Sequence, residues 1–227
     1  PIDFFRARDA LDWSLPAAWG LASSKGETPM IPRRIIDYFD NTYYKAGRFD
    51  LDGVSHMVVG KSLRSGFTPN EPVGEAFLHV NPNVLPRARL AGRPAYAADR
   101  ESAIETLKAL GADLPSRLVV EDPARPLAED AEAAGAATIE VDLPERVEIV
   151  AKAEAPSYLV LADTFDPGWT ATVDGLPAPI VPAYVAFRAV YLTPGEHRVV
   201  FRYAPAGFGL GLALSGVGGL LGAILLI

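Results

Sequence analysis

The sequence contains no cysteine and only three histidines, His56, His79 and His197, which are far apart along the 227 residues. The absence of cysteine excludes disulfide scaffolds, thiolate zinc sites and cysteine nucleophiles, and the scattered histidines argue against a histidine-rich metal site. Positive charge is also scarce, because 21 Lys and Arg oppose 28 Asp and Glu and leave a net charge of -7. An acidic chain lacks the basic face that nucleic acid binding needs, so we expect no nucleic acid partner.

The composition is otherwise that of a folded protein. Hydrophobic residues make up 49% of the chain and charged residues 22%, which excludes intrinsic disorder over most of its length. The length fits one large domain or two small ones. Neither a P-loop nor a Rossmann glycine pattern is present in the sequence, so nothing in it supports nucleotide-sugar binding.

The C-terminal end is the most apolar part of the chain. Arg202 is the last charged residue, and Ser215 is the only polar side chain after position 206. At a rise of about 1.5 Å per residue, such a run would span roughly 30 Å, the thickness of a bilayer core. We therefore predict a transmembrane helix over 206–227, with a buried helix of a soluble domain as the alternative. Because the chain begins at Pro1 and ends at Ile227 inside this run, we expect a piece of a longer protein.

Three further regions precede this helix. Residues 1–80 are predicted to form a loop-and-helix segment, with a helix that starts near Pro32. Residues 81–136 are predicted to form a small α/β subdomain, in which Asp99 caps the N-terminus of a helix over 100–110. The whole chain is thus predicted to be α+β: the small α/β subdomain is followed by a membrane-proximal antiparallel β-sandwich and one C-terminal transmembrane helix.

The sandwich is predicted over 137–205, where short alternating segments are separated by regularly spaced turns. Residues 146–153 alternate apolar and polar side chains, as a strand with one buried face does. Asp174-Gly175 is a strong signal for a tight hairpin, because both positions of a type I′ turn need a positive φ. Residues 179–182 contain two prolines and are predicted to form an edge strand, since proline cannot donate to a ladder.

Four residues of the sandwich are candidates for substrate binding: Asp163, Asp166, Trp169 and Arg188. Carboxylates accept hydrogen bonds from sugar hydroxyls and an indole face stacks on a pyranose, while the two acids would also suit Ca²⁺. The alternative is structural, with Asp166 in a turn, Asp163 at a strand end and Trp169 in the core. Arg188 lies among apolar residues and needs a partner, either one of these two carboxylates or a phosphate. We expect no catalytic residue, metal site or cofactor in this part of the protein.

Several segments resemble the C-terminal extracytoplasmic region of YfhO-type bacterial membrane proteins. They are YLVLADTFDPGWTATVDG at 158–175, AFRAV at 186–190 and PGEHRVVFRY at 194–203, directly before the apolar run. NPNVLPRA at 81–88 is similar to the family's segment at the entry to that region, and 51–60 resembles the preceding stretch more loosely.

The resemblance implies a polytopic membrane enzyme of the GT-C glycosyltransferase class in the bacterial cytoplasmic membrane, with this soluble part on the extracytoplasmic face. Such enzymes transfer a sugar from a polyprenyl-phosphate donor to a cell-envelope acceptor, so the implied partners are the lipid bilayer, a lipid-linked sugar and that acceptor. The family's catalytic acid lies between early transmembrane helices, which this sequence does not include. The need for a divalent metal in the parent enzyme stays open. The alternative is a non-enzymatic envelope module that binds carbohydrate or a protein partner.

Overall fold

The computed structural model describes 31–42, 47–59, 68–73, 76–124, 126–205, Gly207, Gly211 and 214–216. No helix within these residues combines the length and the apolar character needed to cross a membrane. The transmembrane helix predicted for 206–227 falls almost entirely outside the described residues and stays a prediction. The first thirty residues of the loop-and-helix segment predicted for 1–80 also lie outside them.

Before position 205 the described part of the chain contains three α-helices: α1 at Arg33–Thr42, α2 at Arg48–Leu51 and α3 at Arg100–Leu110. The described residues Gly211 and 214–216 are helical as well. Helix α1 begins directly after Pro32, as predicted, since the fixed φ of proline suits the first turn of a helix. Its most buried aromatic residue is Tyr38, whose hydroxyl donates a hydrogen bond of 2.7 Å to Asp52.

The predicted N-cap of α3 is confirmed. The Asp99 carboxylate accepts a hydrogen bond of 2.8 Å from the Ser102 backbone N–H, and the Ser102 hydroxyl accepts one of 3.0 Å from the Asp99 N–H. This reciprocal pair satisfies donors that the first helical turn leaves free. Helix α3 continues into a 3-10 helix at Gly111–Ser116, which leads to the next strand.

The first three strands form a small antiparallel sheet of their own. They are β1 at His56–Val59, β2 at Thr68–Val73 and β3 at Ala76–Val80, in the spatial order β1-β3-β2.

The second sheet has six strands, with the spatial order β4-β9-β13-β12-β6-β5. These strands are β4 at Ala88–Ala91, β5 at Pro94–Tyr96, β6 at Leu118–Val120, β9 at Ser157–Thr164, β12 at Val181–Ala183 and β13 at Phe187–Leu192. Only β5 and β6 run parallel to each other, and α3 connects them. The sheet combines strands from both sides of the boundary predicted at 136, so the β4–β9 pairing ties 81–136 to 137–205. The division into domains stays a prediction.

The third sheet has five antiparallel strands in the order β11-β10-β14-β8-β7. They are β7 at Gly135–Leu143, β8 at Arg146–Ala153, β10 at Trp169–Val173, β11 at Leu176–Ala178 and β14 at Gly195–Tyr203. The hairpin predicted at Asp174-Gly175 is confirmed between β10 and β11, with φ of 53° and 82° at its two turn residues.

The six-stranded sheet lies in the middle of three layers. One of its faces packs on the five-stranded sheet around Leu159, Leu161, Val190 and Phe201. Its other face packs on the helices, with Leu107 of α3 and Tyr38 of α1 in the same cluster as Val160. The predicted α+β class is confirmed, and the two face-to-face sheets form the sandwich.

The prediction of an edge strand at 179–182 is wrong. Strand β12 lies inside the six-stranded sheet, between β13 and β6. Pro182 has no backbone N–H to donate, but its carbonyl accepts a hydrogen bond of 3.0 Å from the Glu121 N–H. The strand meets β6 at one residue pair only, Ala183 with Val120, so the missing donor interrupts little of the ladder.

Candidate functional site

The candidate site lies at one end of the sandwich, where both large sheets contribute side chains. In the six-stranded sheet, Ala88 of β4 and Arg188 of β13 flank Leu161 of β9 in one row, which places Arg87, Asp163 and Arg188 close together. In the five-stranded sheet, Asp142 lies near the end of β7 and Trp169 begins β10. The site therefore bridges the two layers.

Arg87 holds the two sheets together by bonding two carboxylates. Its Nε and Nη2 donate to the two Asp163 oxygens at 2.8 and 2.9 Å, a bidentate pair. Its Nη1 and Nη2 donate to the Asp142 oxygens at 2.6 and 3.2 Å. The pKa of Arg87 is raised, chiefly by its hydrogen bonds to Asp163. Burial acts to lower this pKa, and the hydrogen bonds to Asp142 raise it further. The planar guanidinium fork suits this double role better than a lysine would.

Arg188 continues this network into the core. It is almost fully buried, with 1% of its surface exposed, and its Nη2 donates to Asp163 Oδ2 at 2.7 Å. Its Nε and Nη1 have no hydrogen-bond partner among the described residues. Burial lowers the pKa of Arg188 to about 10, against the opposing effect of Asp163, so the guanidinium stays charged at neutral pH. We call Asp142, Arg87, Asp163 and Arg188 the arginine–aspartate chain.

Trp169 covers the guanidinium of Arg188. The Arg188 Cζ atom lies 3.7 Å from the centroid of the indole and 5.3 Å from that of the Phe201 ring. A cation–π contact of this kind stabilises a desolvated arginine whose nitrogens lack hydrogen bonds. Trp169 itself is half-buried, and its ring centroid is 5.1 Å from that of Tyr203. Since Arg188 occupies one indole face, a sugar cannot stack on that face.

Asp166 does not join the arginine–aspartate chain. Its Oδ1 accepts a hydrogen bond of 2.7 Å from the Gly168 N–H, and its carbonyl accepts one of 3.1 Å from the Trp169 N–H. This is an Asx turn, which favours the structural alternative for Asp166. The Ca²⁺ alternative also loses support, because the Asp163 oxygens already accept hydrogen bonds from two arginines. In the described residues no cluster of three or more His, Asp or Glu could hold a metal ion.

A cleft of about 310 Å³ opens beside the arginine–aspartate chain. Arg87, Asp142 and Asp163 form its polar side, and Leu143, Val147 and Trp169 contribute apolar surface. This volume is at the lower end for small-molecule sites, and the wall of the cleft is more polar than the mainly apolar wall that is common in them. The paired carboxylates and the guanidinium offer hydrogen-bond acceptors and donors to a ligand. The part of Asp163, Asp166, Trp169 and Arg188 in substrate binding stays a prediction.

Sequence reasoning missed Arg87 and Asp142. Arg87 lies directly before a strand, in the segment that resembles YfhO-type proteins. This position could have identified it as a candidate site residue. Nothing in the sequence marked Asp142 as a partner of Arg87, because the two residues are 55 positions apart and Asp142 belongs to the other sheet.

His197 has neighbours that the sequence did not suggest. Its Nδ1 lies 2.7 Å from the Asp174 carboxylate and its Nε2 lies 2.9 Å from the Thr193 carbonyl oxygen. The carboxylate and the carbonyl oxygen are both acceptors, so the cationic ring, with a proton on each nitrogen, can donate to both of them. Burial acts to lower the pKa of His197, but the hydrogen bonds to Asp174 and Thr193 outweigh it and raise the pKa above its usual 6.5.

The raised pKa makes stability depend on pH. The stabilisation from protonated His197 is complete below its usual pKa of 6.5 and is lost as the pH rises through the raised value. The pKa of Asp174 is lowered from 3.8, so its share is lost only as the pH falls through that lowered value. We expect the melting temperature to fall more steeply as the pH rises above about 6.5 in the wild type than in His197→Gln. Parallel pH profiles would contradict this.

The strand order connects the candidate site to the apolar segment. Trp169 pairs with Tyr203, the last residue of β14, and the Ala204 N–H donates to the Gly168 carbonyl at 2.8 Å. The chain thus leaves the sandwich beside the cleft and enters the apolar run after position 204. His197 lies toward the other end of β14, so the cleft is at the end of the sandwich from which that run departs.

A sandwich that leads directly into a long apolar run is a domain typical of proteins attached to a membrane. The family model for the bacterial membrane protein YfhO matches residues 140–215, from β7 through β14 and beyond. Over these residues the resemblance to YfhO-type proteins is confirmed, and it supports association of the chain with a bacterial membrane. No curated protein and no solved structure is similar enough to count as a match.

Proposed function

We propose that this chain is the extracytoplasmic part of an integral membrane glycosyltransferase, which transfers a sugar from a polyprenyl-phosphate donor to a cell-envelope acceptor. The family match over 140–215 carries the proposal, since it spans the sandwich and continues into the apolar run. The catalytic acid belongs to membrane segments outside this sequence, and the chain shapes the acceptor side.

The position of the cleft supports this role. It opens where β14 leads into the apolar run, which supports a location of the cleft near a lipid-linked donor. Its hydrogen-bonding groups suit a hydroxyl-rich acceptor. Asp142 is the most accessible of them, with 53% of its side chain exposed, so it is the residue an acceptor reaches first.

The orientation is tested by cysteine labelling, because this chain has no native cysteine that would react with the label. Leu176, in the β10–β11 hairpin, is 72% exposed, so Leu176→Cys in the membrane-embedded protein should react with a membrane-impermeant maleimide on intact cells. Ala189→Cys is the matched control, because Ala189 is fully buried and should react only after denaturation. Labelling of Leu176→Cys only in opened cells would overturn the outward orientation.

The activity is tested in membranes that carry the complete protein, supplied with a labelled polyprenyl-phosphate sugar and envelope acceptors. Asp142→Asn should raise the apparent KM for the acceptor and leave that for the donor unchanged. Asp130→Asn makes the same chemical change at an exposed site that does not line the cleft, and should alter neither. Transfer that is indifferent to Asp142→Asn would contradict the acceptor-side role.

The cleft also favours a second candidate, a non-enzymatic envelope module that binds carbohydrate. The same membranes distinguish the two. A binding module would retain envelope glycans in a manner dependent on Asp142 but would show no sugar transfer from the polyprenyl-phosphate donor.

A further inference from the structure

A second cavity, of about 180 Å³, lies beside β4, at the edge of the six-stranded sheet. Its lining includes three arginines: Arg89 from β4, Arg93 from the turn after it, and Arg117 from the end of the 3-10 helix. One carboxylate, that of Glu132, reaches the rim, where it lies 3.7 Å from Arg93 and is 76% exposed. The cavity therefore carries an excess of positive charge.

Arg89 is the most informative of the three, because it is a buried cation. Only 8% of its surface is exposed, and its Nη1 donates to the carbonyl oxygens of Leu51 and Pro86 at 3.4 and 3.1 Å. Its Nη2 is buried and has no hydrogen-bond partner among the described residues. The charge of Arg89 acts on the Asp52 carboxylate, but that carboxylate already accepts hydrogen bonds from Tyr38 and Arg48, at 2.7 and 3.2 Å. Arg89 therefore shares the Asp52 carboxylate with Arg48, and its guanidinium also lies 5.8 Å from the centroid of the Tyr184 ring, an arrangement that leaves part of a costly buried charge unbalanced.

Arg117 shows the same deficit independently. Its Nε is buried and has no hydrogen-bond partner in the described part of the chain. Arg117 and Arg89 come from separate elements, yet both line the same cavity. Arg89 and Arg117 therefore bring two guanidinium groups to one cavity, each with a buried nitrogen that has no hydrogen-bond partner among the described residues.

The backbone around the cavity is strained. Arg93 and Tyr184 both line it, and both adopt positive φ, at 50° and 48°, in the left-handed region that non-glycine residues rarely occupy. The Arg93 N–H donates to the Ala131 carbonyl at 2.6 Å, which fixes the turn. Such strain clusters where a fold positions groups for a ligand.

The size of the cavity selects a small ligand. It holds several times the roughly 30 Å³ of a water molecule, but it is below the range of about 300–1,000 Å³ for drug-sized molecules. Guanidinium groups recognise phosphate through paired N–H donors. We propose that this cavity binds a phosphate group, free or carried on a lipid headgroup, through Arg89, Arg93 and Arg117. The site is separate from the cleft beside Trp169, and the proposal does not depend on glycosyl transfer.

The test uses the full chain in detergent micelles and titrates inorganic phosphate at constant low ionic strength. Phosphate should raise the melting temperature in a saturable manner, as a ligand of the folded state does. Arg117→Gln should weaken phosphate binding about tenfold, the effect of one lost charge-assisted hydrogen bond. Arg33→Gln is the matched control, because Arg33 is an exposed arginine on α1 that does not line the cavity. It should bind phosphate like the wild type.

A second arm identifies the source of the phosphate. The same variants are placed in nanodiscs of phosphatidylglycerol or phosphatidylcholine, with retention of added headgroup lipid as the readout. Retention that depends on Arg117 without an effect of inorganic phosphate supports the proposal with a lipid headgroup as ligand, and the reverse supports it with free phosphate. The proposal is overturned if neither probe binds, or if Arg117→Gln and Arg33→Gln weaken binding equally.

Discussion

Asp163→Ala is expected to lower the free energy of unfolding by about 3–5 kcal/mol, a large share of the roughly 5–15 kcal/mol that a domain possesses. The reason is Arg188, which is almost fully buried and has Asp163 as its carboxylate partner at 2.7 Å. Removal of that carboxylate leaves a cation inside the sandwich with no counter-charge. The measurement is urea unfolding of the full chain in detergent, for wild type and variant side by side.

Asp142→Ala is the matched control for this prediction. Asp142 bonds the same Arg87, but its side chain is 53% exposed, and exposed ion pairs contribute about 0–1 kcal/mol. A double variant, Asp163→Ala with Arg188→Met, removes both charges and should recover most of the loss, since an apolar replacement of a buried pair is often neutral. Equal effects of Asp163→Ala and Asp142→Ala, or no recovery in the double variant, would show that burial of Arg188 is not the cause.

Local sequence patterns predicted local structure well. The N-cap at Asp99, the helix that starts after Pro32 and the hairpin at Asp174-Gly175 were all predictable, because each depends on residues within a few positions of one another. The alternation over 146–153 likewise predicted β8, whose Val147, Ile149 and Ala151 face the core. Periodicity and capping rules need no knowledge of the tertiary fold.

Sheet order was not predictable from the same patterns. Two prolines near position 180 favoured an edge strand, yet β12 is an inner strand. It pairs with β6 at a single residue pair, so this pairing needs few backbone N–H donors from β12. The pairing of β4 with β9 was also not predictable, because strands that pair across about 70 residues leave no local pattern in the sequence. Such pairings are decided by packing of whole layers.

The candidate site was half predictable for the same reason. Arg188 stood out as a charge among apolar residues, and Asp163 was one of the partners it suggested, which the structure brings together at 2.7 Å. Arg87 completes the bridge from outside the sandwich segment, and Asp142 reaches it from the other sheet. A charged residue in an apolar strand is visible in the sequence, but the surface residues that balance its charge are fixed only by the fold.

Trp169→Ala is expected to lower the free energy of unfolding by about 3 kcal/mol, the lower end for truncation of a large core aromatic, because the indole is half-buried. The loss has two parts. The indole packs against the sandwich core beside Tyr203, and it covers the guanidinium of Arg188 at 3.7 Å. Truncation would admit water to a cation whose Nε and Nη1 have no hydrogen-bond partner among the described residues. Urea unfolding of the full chain in detergent measures the change.

Trp169→Phe is the control that separates packing from glycan recognition. It keeps an aromatic face over Arg188 and should lose less stability than Trp169→Ala, since a smaller ring still provides the cation–π contact. If Trp169 were instead an exposed sugar platform, Trp169→Ala would leave the melting temperature nearly unchanged and weaken glycan binding. The contact between the indole and Arg188 favours the structural role, because that indole face is occupied by an almost fully buried guanidinium, which also lies 5.3 Å from the centroid of the Phe201 ring.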